Sequence, residues 1–414
     1  MDTGKIKVKD KFLYIYIICI CLYIFNRANA LWFEKMPELT IYFITIVVSL
    51  LKIVNGTVKL EYRRLSLIMI LFVFSLMMAF VWYYNGIMSL IWVMAFFLAM
   101  TSVIMLPIGE KRYLLKVLTN CFVIILLISI PAWILYLVGF QLPHSNLIYH
   151  SNGFHIFYDY YFFRLSAKTQ FALFPRFSSI FLEPGQLATP CAFLWFLNGA
   201  NFSRKNIILL VGLILSFSLI GYGLMIAGFI TARLYRSARY RLVKVVFALI
   251  AVIAVSLYFS RNENSDDPVK TFIVSRLEYD TEKVITGNNR TSEYFDIRYE
   301  LLMKSSDKYW GIYKELKEGD NWTYNCSGYK KFIVHRGIIG FAVFLTFIFL
   351  LFWYNRCLSS FVFLILLLAG FFVRDMLQTP LWLSIAILGF YIFYRDSKTE
   401  SMRNGNVIKT GVVR

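Results

Sequence analysis

The chain has 414 residues, 59% of them apolar and 16% charged, with a mean hydropathy of +0.62. An ordinary soluble domain is about 45–50% apolar and about 25% charged, so a soluble enzyme, a secreted disulfide scaffold and a disordered chain are all excluded. The net charge of +19 invites a nucleic-acid partner, but the basic residues fall between apolar runs of membrane-crossing length, and nucleic acid is rejected as a partner.

The apolar runs predict twelve crossings, over 12–32, 39–55, 65–83, 87–107, 117–139, 186–200, 204–217, 219–234, 241–259, 333–354, 358–373 and 379–394. The expected fold is an all-α polytopic membrane protein with about twelve transmembrane helices (eleven to thirteen). The first run follows a Lys-rich start and resembles a signal peptide. It continues for about twenty residues with other spans behind it, so it is expected to remain as the first helix. With the N-terminus inside, the inner segments hold 24 Lys/Arg against 6 Asp/Glu, and the outer ones 19 against 18. That asymmetry is the positive-inside pattern of an inner membrane, and both termini are expected to be cytoplasmic. Contact of the inner clusters with anionic membrane lipid is its simplest consequence.

The first five helices occupy 1–139. The run Asn206–Leu234, as one helix, could be accommodated by tilt, but a single crossing would place the Arg233–Lys244 cluster outside. Ser216, Ser218, Gly221 and Gly223 supply a break, so 186–259 is divided into helices six to nine. The turn at that break is expected below the outer surface, against protein or a water-filled cavity. Two outer segments, 140–185 and 260–332, are too long for plain connections. The second contains 13 acidic residues, over half of those in the chain, and reads as a folded polar insert. Within it Thr291–Lys304 predicts an amphipathic helix with Tyr294, Ile297, Leu301 and Lys304 on one face. Helices ten to twelve follow over 333–394, and 395–414 is expected to be a disordered cytoplasmic tail.

Three groups carry chemistry. In Arg176-Phe-Ser-Ser-Ile-Phe-Leu-Glu183-Pro184-Gly185 a carboxylate stands at the mouth of a helix whose first turn suits Pro184. Glu183 either caps that helix, with Arg176 as its counter-charge, or acts as a base in a partly apolar setting. Arg276 and Arg290 lie in the polar insert, where a planar guanidinium suits phosphate oxygens but a solvated surface role is the simpler reading. Arg374-Asp375 closes a span on the same side, as a local ion pair or as part of a site. Tyr329, His335 and Arg336 sit where the chain re-enters the membrane, either as functional groups or snorkelling to the interface. The six cysteines form no disulfide framework. The histidines have no ligand spacing, so no metal is expected. No phosphate-cradling or dinucleotide motif is present, so no cofactor is expected either.

The Arg176…Glu183-Pro184-Gly185 segment, the Ser216-Phe-Ser218-Leu-Ile-Gly221 helix break, the late outer loop with Arg290 and the Gly337-Ile-Ile-Gly340 helix start resemble the Wzy-type O-antigen and capsular polysaccharide repeat-unit polymerases, relatives of the O-antigen ligases. The resemblance implies a C-class (GT-C-like) glycosyltransferase acting at the periplasmic face without metal or nucleotide sugar. Donor and acceptor would be oligosaccharides on undecaprenyl diphosphate, and a chain-length regulator protein would be a partner. It carries diphosphate binding onto Arg176 and Arg290 and casts Glu183 as orienting or deprotonating the acceptor hydroxyl, so these three are the catalytic candidates; Arg276, Arg336, Arg374, His335 and Tyr329, singled out above on their own chemistry, are the substrate-binding ones. The related ligases carry a His-Asn pair before the Gly-Ile-Ile-Gly helix where this chain has Cys326-Ser327, which disfavours a ligase. A transporter of lipid-linked oligosaccharide (a flippase) is the alternative from another class.

Overall fold

The computed structural model describes residues 11–56, 61–82, 86–145, 148–150, 155–166, 175–236, 293–313, 316 and 328–410. Its helices are α1 (Lys11–Arg27), α2 (Leu31–Glu34), α3 (Glu38–Val54), α4 (Tyr62–Met77), α5 (Ile87–Met105), α6 (Ile108–Leu137), α7 (Pro184–Leu197), α8 (Arg204–Leu215), α9 (Leu219–Arg236), α10 (Glu293–Lys304), α11 (Gly328–Tyr354), α12 (Leu358–Val373) and α13 (Pro380–Thr410). A wide π turn, Met78–Trp82, continues α4. Among the described residues, four helical stretches are long and apolar enough to cross a membrane: Tyr62–Trp82, Ile87–Met105, Ile108–Leu137 and Gly328–Tyr354. Leu219–Ile230 and Leu358–Val373 are shorter and apolar. The mostly helical architecture is compatible with an all-α membrane protein. The run 241–259, read as a crossing, lies outside the described residues.

Helix starts follow local chemistry. Pro37 and Pro107 stand at the caps of α3 and α6 in extended conformation, and Pro184 opens α7. There the missing N–H costs nothing, since the first-turn donors have no intrahelical acceptor. The centre of the bundle is α7 with the first half of α13. In α7 every residue from Leu187 to Leu197 is buried, which is how a helix apolar on all sides behaves. Around α7 pack α8, α9 and α13, while α12 packs on α9, α11 and α13. A second group joins α1 to α3, α3 to α5, and α4 to α5 and α11.

The segment 140–185 departs from the all-α expectation. It carries a small antiparallel sheet of three strands, β1 (Ile148–His150), β2 (His155–Asp159) and β3 (Arg164–Ser166), in the order β1-β2-β3. Ile148 faces Phe157 and Tyr158 faces Leu165 across the ladders. Short aromatic and β-branched runs between turns suffice for such a hairpin pair. The sheet sits over the C-terminal end of α6, where Tyr136 meets Tyr160 and Phe163. This pole of the bundle is the sheet end, and the opposite pole the far end.

A buried side chain pins the sheet down. Arg164 donates from Nε to Asp159 Oδ1 at 3.0 Å and from Nη1 to the Asn29 carbonyl at 2.8 Å, and it pairs with Glu34. Arg164 and Asp159 side chains are each 1% exposed. From the sheet the chain dips back into the bundle over 175–183. Phe181 stacks on Phe122 of α6 with centroids 5.6 Å apart, and Phe177 packs on Trp133. Backbone partners come from other segments: Leu31 N donates to Ile180 O, Arg164 N to Ser179 O, and Phe177 N to Leu215 O. Irregular backbone at this depth is tolerated because protein surrounds it.

Two expectations are corrected. The helix predicted over Thr291–Lys304 is present as α10, but Tyr294, Ile297 and Leu301 are exposed. The opposite face supplies the small core of Phe295 and Leu302 with Val334 and Leu316. The tail is also not wholly irregular: α13 runs on as helix to Thr410, since Arg395–Asn404 contains neither Pro nor Gly.

Candidate functional site

The start of α7 gathers the residues of the Arg…Glu-Pro-Gly segment. Glu183 is the N-cap residue, but its side chain makes no capping hydrogen bond. Its carboxylate forms an ion pair with Arg374, in the connection between α12 and α13. The side chains are 29% and 17% exposed, so the pair is shielded yet reachable from solvent. Gln186 does the local work instead, its Oε1 accepting from Leu182 N at 3.2 Å.

Gly185 explains the third letter of the motif. A Cβ there would overlap Cζ, Nη2 and Nε of Arg374, so the missing side chain is the space the guanidinium fills. Gly328, which opens α11, lies against the Arg374 backbone in the same manner. Arg374 is therefore held between the starts of α7 and α11, with Tyr329 beside it against the Phe372 ring at 5.3 Å. Arg374 thus pairs with a carboxylate distant in sequence, while the side chain of Asp375, the local partner, lies outside the described residues.

Arg176 reaches the turn between α8 and α9. It donates from Nη2 to Phe217 O at 2.9 Å and from Nε to Ser216 O at 3.3 Å. These carbonyls end α8, where Phe217 takes a positive φ of 47° to begin the turn into α9. The predicted Ser/Gly break is thus present, and an arginine satisfies carbonyls that a helix C-terminus leaves open. Gly221, just beyond, lets α9 close on Ala188 of α7. Glu183 and Arg374 thus meet at the first turn of α7, and Arg176 holds the turn into α9, which packs on the same helix.

His335 and Arg336 do not snorkel. Arg336 is 1% exposed, its guanidinium 5.0 Å from the Trp82 ring and 5.1 Å from Tyr313, with Nε 3.3 Å from Gln378 Oε1. His335 packs edge-on to Tyr313. A cation between two aromatic faces is stabilised by their quadrupoles at lower desolvation cost than in hydrocarbon. The cause of this burial is a break in α11. Gly337 has φ 68° and ψ 174°, and the strap Tyr309–Ile312 packs closely against the break. Ile339 N donates to Tyr309 O, Ile312 N to Val334 O, and Trp82 Nε1 to Trp310 O at 2.8 Å. Gln378 links this cluster to the segment that carries Arg374.

Sequence reasoning missed Arg27 and Tyr313. Arg27, the last residue of α1, donates to Tyr42 Oη at 2.8 Å and lies 4.9 Å over the Trp92 ring. Burial pushes the Tyr313 phenol up, while the positive charges of Arg27 and Lys331 pull it down. Arg27 therefore belongs to the cationic surroundings of Arg336. An arginine closing a first helix gives no sequence signal, since loop cations are common. Arg276, Arg290 and the Asp320–Ser327 stretch lie outside the described residues. Among the described residues no three His, Cys, Asp or Glu side chains gather as metal ligands would.

Comparison of the chain with family models, curated proteins and solved structures finds no match.

Proposed function

We propose that this chain is a membrane glycosyltransferase that joins oligosaccharide repeat units carried on undecaprenyl diphosphate, producing O-antigen, capsule or exopolysaccharide. In this reading it crosses a bacterial inner membrane twelve times in a C-class glycosyltransferase arrangement, and the sheet end faces the periplasm. The observation that carries it is the Glu183–Arg374 pair at the start of α7, with Arg176 at the α8–α9 turn that leads into a helix packed on α7. Two guanidinium groups and one carboxylate, partly shielded at one pole of an apolar bundle, match a lipid diphosphate and a sugar hydroxyl.

The chemistry follows from that set. The acceptor hydroxyl attacks the anomeric carbon of the donor glycan, and the bond from that carbon to the diphosphate oxygen breaks. Glu183 takes the hydroxyl proton. The diphosphate leaves with its added negative charge, which Arg176 and Arg374 stabilise, joined by Arg290 from the polar insert. At rest Glu183 is neutralised by Arg374. A diphosphate competes for that guanidinium and leaves the carboxylate able to accept a proton. Both substrates are anchored in one leaflet, which raises their encounter rate.

Deletion of the gene, with surface glycan resolved on a gel, tests the reading. Loss of the polymerase leaves single repeat units in place of ladders. Long polymer accumulating on undecaprenyl diphosphate identifies a ligase, and intermediates held on the cytoplasmic leaflet identify a flippase. Normal ladders after deletion, in a strain with no second polymerase, reject the proposal.

A further inference from the structure

At the far end, α6 and the α7–α8 connection enclose a polar notch of about 180 Å³. Its lining includes Lys116 and Asn120 of α6, Asn198 and Ser203 of the connection, and Lys205 and Asn206 of the first turn of α8. Two of these side chains carry positive charge and none is acidic. Lys205 is held in place by Asn120, its Nζ 2.6 Å from Oδ1. Asn206 is buried and folded onto Asn201, donating to the carbonyl at 3.0 Å and to Oδ1 at 2.8 Å. Ser203 is the N-cap residue of α8, yet its side chain makes no cap hydrogen bond. The first-turn N–H groups of a twelve-residue helix therefore add their partial positive charge beside the two lysines.

The notch sits at a boundary. Beyond Asn120, α6 turns apolar, and beyond Asn206 so does α8. Its walls continue toward the sheet end as exposed apolar side chains, Ile124, Leu127 and Ile128 on α6 and Ile207, Val211 and Ile214 on α8. The two helices pack together along this stretch. A cationic, hydrogen-bonding recess that opens onto an apolar track has the polarity profile of an anionic amphiphile. A soluble phosphate would use the recess alone and leave the track bare.

We propose that this notch binds the phosphate headgroup of an anionic phospholipid, whose acyl chains lie along the exposed faces of α6 and α8. The phosphate oxygens accept from Lys116, Lys205 and the α8 N-terminus, and Asn198 and Ser203 contact the ester or glycerol oxygens. The site lies at the pole opposite Arg176, Glu183 and Arg374 and does not depend on the reaction assigned to them.

Full-length protein in phosphatidylcholine nanodiscs doped with phosphatidylglycerol tests this, with retained lipids counted by native mass spectrometry. Wild type is expected to retain phosphatidylglycerol over phosphatidylcholine. Lys116→Ala with Lys205→Ala should lower that preference about 25-fold, at about fivefold per lysine near a membrane surface. Lys116→Arg with Lys205→Arg should keep it. Removing two charges elsewhere at the same pole, by Arg63→Ala with Lys398→Ala, should leave it unchanged. Equal retention of both lipids by wild type overturns the proposal, as does an equal loss in the Arg63/Lys398 control. Displacement of the lipid by inorganic phosphate alone also overturns it, since the recess would then be a site for a free anion.

Discussion

Glu183 and Arg374 lie 191 positions apart in the chain and meet as an ion pair at the start of α7, with Gly185 leaving the space that the guanidinium occupies. Three consecutive residues thus have three separate tasks. Glu183 supplies the charge, Pro184 starts the helix, and Gly185 admits the partner. The pair ties the α7 start to the α12–α13 connection at the pole where the proposed chemistry takes place.

Glu183→Gln and Arg374→Ala should each lower glycan chain growth by about 10²–10³-fold, the usual cost of losing one preorganised charge-stabilising group. The exchanged pair Glu183→Arg with Arg374→Glu should regain the protein level of wild type but not its activity. Growth is read from ladder length in a deletion strain and from polymer formed by isolated membranes. Wild-type ladders from both single variants would remove these residues from the mechanism.

Gly185→Ala places a methyl where the Arg374 guanidinium lies. The end of an arginine side chain can move, so the helix should still form while the pair is displaced. Thermal stability in detergent should change little and activity should fall, by up to about 10²-fold for a displacement on the order of 1 Å. Gly223→Ala is the contrast. Nothing lies within 4 Å of its added Cβ, and the exchange should be neutral or stabilise α9 by about 0.5–1 kcal/mol.

Gly337→Ala should act on stability. Its φ of 68° with ψ of 174° is a conformation open essentially to glycine alone, and a Cβ would run into the Tyr309 carbonyl. The backbone strain alone costs about 1–3 kcal/mol, and the obstructing group is main chain, which cannot swing aside. A lowered thermal midpoint in detergent, with Trp310 more accessible to a quencher, is the expected result.

Arg164→Ala should loosen the sheet. It leaves the buried Asp159 carboxylate without the guanidinium that balances it, at a cost of about 3–5 kcal/mol. Limited proteolysis over residues 140–166 should accelerate. Asp159→Asn combined with Arg164→Met removes both charges and should cost less than the single variant.

Helix positions were readable because membrane spans are written as long apolar runs between basic clusters. Ile87–Met105 and Leu358–Val373 lie close to their predicted limits, and the α8–α9 break follows from Ser216, Ser218 and Gly221 in an apolar run. What was hidden is non-local. Nothing near Arg374 in sequence points to Glu183, whereas the adjacent Asp375 invites a local pair. Of the two readings of Arg336, snorkelling gives way because Trp82 and Tyr313, from two other segments, provide aromatic faces for it. Arg164 gave no signal either, since its partners Asn29, Glu34 and Asp159 are joined only by folding. In α10, the amphipathic pattern located the helix but did not determine which side faces the protein. The burial of Phe295 against Val334 decides that.

The docking of Tyr309–Ile312 against the break in α11 also constrains how such a protein can be re-engineered. The described part of the polar insert is keyed to a helix of the bundle, so it is no detachable module. A chimera that exchanged residues 293–327 alone would bring a foreign strap to a slot shaped by Trp82, Gly337 and Gly340. Transplanting specificity from another chain of this architecture would require strap, slot and indole to travel together.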